Sequence, residues 1–124
     1  MGGLYFAGGN KLNLKIPLFS IGNIEVYTKR KQASKAMSRL GIDVDVNQID
    51  GCFAYEAYPT SGVFVMCTFD GKVGTVAHES FHAAIRVLHA AGVPVVPDSP
   101  NEAHAYLMEY LVNEISEYMG AKCN

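Results

Sequence analysis

Between Thr75 and Ala91 almost every position is apolar or small: Val76, Ala77, Phe81, Ala83, Ala84, Ile85, Val87, Leu88, Ala90 and Ala91. On a helical wheel the exceptions are Ser80 and one arc of about 100° that gathers His78, Glu79, His82, Arg86 and His89. A helix that is apolar nearly all round belongs inside a protein. Ionisable groups taken inside cost free energy unless they are paired or bound to metal. The arc therefore calls for a partner, and a cation is the simplest one. Gly92 and Pro94 mark the end of this helix.

His78 and His82 stand four residues apart, one turn apart on one helix face. Two imidazoles so placed can grip one zinc ion at about 2.0–2.1 Å each. Glu79 is rotated about 100° from His78 and flanks such an ion without having to bind it. That is where a general base for a metal-activated water must stand. His89 continues the stripe and reads as a supporting or surface residue. Arg86 reads as solvated or ion-paired.

A catalytic zinc usually has three protein ligands and an open water position. The extended pattern HExxHxxGxxH fails, because Ile85 stands where it needs glycine and Leu88 where it needs histidine. The remaining candidates lie on the last predicted helix. There Glu102, Tyr106, Glu109 and Asn113 share one face, opposite Leu107, Met108, Leu111, Val112 and Ile115. Glu102 has a competing explanation, since Ser99 and Glu102 have capping-box spacing and Pro100 suits a first helical position.

The segment from His78 to His82, followed after 19 residues (83–101) by Glu102-Ala-His-Ala105-Tyr106, resembles the gluzincin pattern of HExxH with a downstream ExxA-type glutamate. It is similar in particular to minimal gluzincins and to small zincin-like proteins carried by phages. The likeness covers about residues 50–115. It implies a peptidase-like site in which His78, His82 and Glu102 bind Zn²⁺ and Glu79 is the base. It also implies that the outer strand of a β-hairpin lies along the cleft and pairs with an extended peptide or protein substrate. Tyr106, one turn from Glu102, becomes a candidate for stabilising an oxyanion. Glu109 is the alternative third ligand.

Two rivals compete with the hydrolase. A zinc-stabilised binding protein without turnover would also use the metal for folding, although structure alone does not require Glu79. A di-metal carboxylate protein could use Glu79-x-x-His82, but it needs a second ExxH helix, and the sequence has none.

The remaining sequence sets the frame. The 124 residues suit one domain, with residues 1–11 as a flexible or edge-forming arm. Residues 12–28 read as one or two strands, interrupted by Pro17 and Gly22. Residues 29–40 read as an amphipathic helix stopped by Gly41. Residues 51–58 and 63–69 form a predicted hairpin around Pro59-Thr60-Ser61-Gly62, and Asp70-Gly71 makes a further turn. This order predicts an α+β fold with a small antiparallel sheet packed against the HExxH helix and a C-terminal helix.

The formal charge of −2 disfavours nucleic acid as a partner. The densest basic cluster, Lys29, Arg30, Lys31, Lys35 and Arg39, reads as a solvated helix face. No apolar run is long enough to span a bilayer, and neither a signal peptide nor a myristoylation signal is evident. Three widely spaced cysteines without a C-x-x-C pair suit a reduced, cytoplasmic protein, with Cys52 and Cys67 as small buried strand residues.

Overall fold

A computed structural model of the protein describes residues 5–7, 11–16, 22–55, 62–98 and 101–120. The expected hairpin turn at 59–61, the Ser99/Pro100 helix start, Pro17 and Cys123 lie outside those residues. The described residues contain five strands, β1 (Tyr5–Ala7), β2 (Leu12–Lys15), β3 (Asn23–Tyr27), β4 (Gly51–Tyr55) and β5 (Val63–Thr68), and three α-helices, α1 (Arg30–Arg39), α2 (Val73–Ala90) and α3 (Glu102–Met119).

The sheet order is β1-β2-β3-β5-β4. Strands β2 to β5 form its body, and β1 adds a short antiparallel edge next to β2. The α+β class stands, but the sheet is mixed rather than antiparallel. Strands β3 and β5 run parallel, with Ile24 opposite Phe64 and Val26 opposite Met66. Parallel neighbours need a long crossover, and helices usually supply it. Here the crossover runs through α1 and then β4, which begins at the end of the sheet where β3 and β5 finish and carries the chain back antiparallel to β5.

Alternation along the strands creates two cores. Leu12, Leu14, Ile24, Val26, Phe64 and Met66 face α2 and α3, where they meet Val76, Val87, Leu88, Leu107, Leu111 and Ile115. Tyr27, Val65 and Cys67 face the other way, onto Ala33, Ala36 and Met37 of α1. Cys52 and Cys67 are direct cross-strand neighbours, Cys67 buried and Cys52 half-buried. The Tyr110 hydroxyl donates to the Lys15 carbonyl oxygen at 3.2 Å and ties α3 to β2. Among the described residues no helix is long and apolar enough to cross a membrane.

One expectation about α2 is corrected. The helix is not enclosed all round. It buries Val76, Glu79, Ser80, Ala83, Ala84, Val87 and Leu88, and leaves His78, Phe81, His82, Ile85 and His89 exposed. The sheet and α3 cover only one side of it, so apolar Phe81 (46% exposed) and Ile85 (37%) flank the histidines at the surface. Gly92, at φ 76°, ends the helix as expected, because the left-handed region suits glycine.

The basic face of α1 is exposed, yet two of its arginines are engaged. Arg30 donates to the carbonyl oxygens of Val46 and Ile49. Arg39 donates to Glu25 on β3 at 2.8 Å. Glu25 is 5% exposed and also accepts from Lys11 Nζ at 2.9 Å and the Tyr27 hydroxyl at 2.6 Å. Burial pushes its pKa up, but these three partners outweigh burial and hold it below its ordinary value. A depressed pKa in the folded state adds stability that is complete above the unfolded value and is lost as pH falls through the folded one. The urea midpoint should therefore drop below about pH 4.5, the ordinary carboxylate value. Glu25→Gln should cost about 2 kcal/mol at pH 7 and flatten that drop, because the charge-assisted bonds are gone. Urea titrations from pH 3 to 7 check both, and an unchanged slope in the variant would discard the role given to Glu25.

Candidate metal centre

Helix α2 is launched directly from β5. The Phe69 N–H donates to the Asp50 carbonyl oxygen at 2.8 Å, extending the β4–β5 ladder by one pair. Asp70 then organises the turn. Its carboxylate accepts from the Lys72 N–H at 3.0 Å and from the Thr75 hydroxyl at 2.6 Å. A carboxylate at a helix N-terminus satisfies free N–H groups and suits the helix dipole. This fixes where α2 begins, and so which of its faces meets the sheet.

That orientation separates the HExxH residues. His78 and His82 lie on the open side, their ring centroids 5.0 Å apart and inclined at 72°. Glu79 turns inward and is 8% exposed. One of its carboxylate oxygens remains 4.0 Å from His78 Nε2. Burial raises the Glu79 pKa above its ordinary value, with His78 and His82 pulling the other way. The donors present suit a borderline-soft divalent ion: two imidazoles able to converge, with a carboxylate at their side.

The inward path of Glu79 depends on Gly51. A Cβ at that position would lie 2.7 Å from Thr75 Cγ2, 2.9 Å from the Cys67 carbonyl oxygen and 3.3 Å from Glu79 Cγ. Only glycine lets α2 approach the sheet this closely. Gly51 carries no local signal in the sequence, since the atoms it accommodates belong to residues far along the chain.

Beside the histidines runs β4, the outer strand of the sheet. Residues of an antiparallel ladder alternate between pairs that exchange both hydrogen bonds and pairs that exchange none. Asp50 and Phe69 are bonded to each other, so Cys52 and Ala54 also point their backbone groups toward β5. Gly51, Phe53 and Tyr55 then direct theirs to the open edge. On the α2 side of that edge are two hollows. One involves Asp50, Gly51, Thr75, His78 and Glu79. The other involves Phe53, Tyr55, His82, Ile85, Arg86 and His89.

The expected third ligand is not assembled. Among the described residues, no group of three or more His, Cys, Asp or Glu is placed to hold one metal ion. Glu102, Glu109 and Asn113 are exposed on α3, and Tyr106 is 40% exposed beside them. Helix α3 begins at Glu102 after Asn101, which adopts φ 54°. Its first turns nonetheless reach α2. The His104 ring meets Phe81 with centroids 5.1 Å apart, and Phe81 in turn meets the His82 ring. His104 Nε2 is buried without a hydrogen bond among the described residues.

Gly51→Ala should cost about 1–3 kcal/mol, the usual range for overpacking, because the nearest obstacle includes a backbone carbonyl oxygen. Gly41→Ala, where an added Cβ meets nothing, serves as a control for space, although φ 71° carries its own strain. Chemical denaturation compares them, and a Gly51→Ala protein as stable as wild type would remove the close approach from the account. Set beside known families, curated proteins and solved structures, the chain matches none of them.

Proposed function

We propose that this chain is a small zinc-dependent hydrolase, a peptidase of gluzincin type, in which His78 and His82 hold the metal and Glu79 is the general base. One observation carries the reading: two exposed imidazoles with centroids 5.0 Å apart stand beside a buried glutamate whose pKa is raised. A glutamate that served only solubility would be solvated. One that served only structure would be paired, as Glu25 is.

When bound, zinc supplies Lewis acidity and brings the pKa of water toward 7. The protein's own residues do the rest. His78 and His82 fix the ion on the open side of α2. Glu79 accepts a proton from the attacking water and returns it to the leaving nitrogen, and its burial favours this by raising proton affinity. The outward backbone groups of Gly51, Phe53 and Tyr55 offer an extended peptide a strand to pair with. Glu102 is the third protein ligand of this reading. Support for it comes from α3, whose first turns adjoin Phe81, the neighbour of His82.

Metal analysis and peptide hydrolysis test the assignment together. Wild type should bind one zinc per chain, and His78→Ala and Glu102→Ala should each lose it. Glu79→Gln should retain zinc while hydrolysis of a mixed peptide library falls by about 10²–10⁴-fold. Unimpaired cleavage by Glu79→Gln would sink the base, and zinc retained by Glu102→Ala would move the third ligand to Glu109.

A further inference from the structure

Of the two hollows between β4 and α2, the one beyond His82 is floored by Phe53, Tyr55 and Ile85 and carries Arg86 and His89. No acidic residue lines this hollow among the described residues. The other, around Gly51, is lined by Asp50 and Glu79. The two hollows along β4 therefore differ in charge: carboxylates and His78 line the one where the strand begins, and Arg86 lines the one where it ends.

Arg86 is the ordered element of the hollow beyond His82. Its guanidinium carbon lies 4.2 Å from the centroid of the Tyr55 ring. Its Nε is buried and makes no hydrogen bond among the described residues. No ion pair involves it there either. A guanidinium stacked on an aromatic ring loses little further freedom on binding, and its planar fork matches a carboxylate.

We propose that Arg86 is the carboxylate anchor of this groove, receiving an acidic side chain or the free C-terminal carboxylate of an extended peptide laid along β4. The proposal rests on the reading of the groove as a peptide cleft. Spacing gives it a register. From His82 to Arg86 the helix rises about 6 Å, and an extended peptide covers that in about two residues at roughly 3.3 Å each. The anchored carboxylate thus sits about two residues along from the group facing His82.

Peptide binding, read by fluorescence anisotropy on zinc-loaded Glu79→Gln protein, tests this without depending on turnover. The probes are labelled octapeptides in which one Glu is moved position by position, their Gln and Lys twins, and forms with a free or an amidated C-terminus. One register should favour the acidic peptide over its Gln twin by about tenfold, the order expected for a charge-assisted pair. If the amidated form keeps the preference, the source is a side chain; if only the free acid shows it, the source is a C-terminus. Arg86→Gln should reduce the preference below about twofold while leaving the Gln peptide's affinity unchanged, and Arg86→Glu should shift it to the Lys twin. Arg86→Lys, which keeps the charge and loses the fork, should retain part of it. Wild-type Arg86 protein that binds Glu and Gln peptides alike, or a preference that survives Arg86→Gln, overturns the anchor while the peptide cleft stands. Failure of every peptide to bind overturns both.

Discussion

The close approach of α2 to the start of β4 is the contact on which the rest of the site depends. Thr75 and Glu79 settle over Gly51, within distances that no other residue would permit. This rotates α2 so that Glu79 goes under and the two histidines stay out. If the helix were turned by one residue, about 100°, so that Glu79 took the place of His78, the glutamate would be solvated and His78 would turn inward. Asp70 holds the start of the helix in the matching position through Lys72 and Thr75. Which side chains of the motif are buried and which are exposed therefore follows from a packing contact that the motif does not contain.

Two buried glutamates in one small protein show how environment divides roles. Glu25 lies under α1 with a tyrosine, a lysine and an arginine around it, and its pKa is held down. It is a clamp between the sheet and a helix. Glu79 lies under α2 with only histidines to oppose its desolvation, and its pKa is raised. The same side chain is thus an anion held by three partners in one core and, in the proposed function, the proton acceptor in the other. Burial acts upward on both, and the number of partners decides the outcome.

The mixed sheet also has a consequence at the site. Pairing β5 with β3 in parallel places the hairpin at the end of the sheet, so that β4 remains an edge. An edge strand next to two histidines is what the proposed function uses to seat an extended peptide beside the metal ligands. Tyr55 at its far end orders Arg86 through ring contact. A wholly antiparallel arrangement would not by itself have fixed which strand stays open.

Local patterns in the sequence were enough for the elements and for the pair. Helix α2, the hairpin strands, the stop at Gly92 and the joint placement of His78 and His82 all follow from interactions within a few residues, where periodicity and turn chemistry act. The same patterns misjudged the sheet as antiparallel and α2 as enclosed, because strand order and helix coverage are set by residues far apart. A wheel reports which residues share a face but not what covers it. Thus Phe81 and Ile85 read as core and proved exposed. The sequence by itself determined that two imidazoles and a carboxylate would sit within one turn of helix, since backbone geometry alone enforces that. Only the tertiary structure decided that the carboxylate would be buried, the imidazoles open and β4 beside them, because those depend on how closely α2 could settle over a glycine in a distant strand.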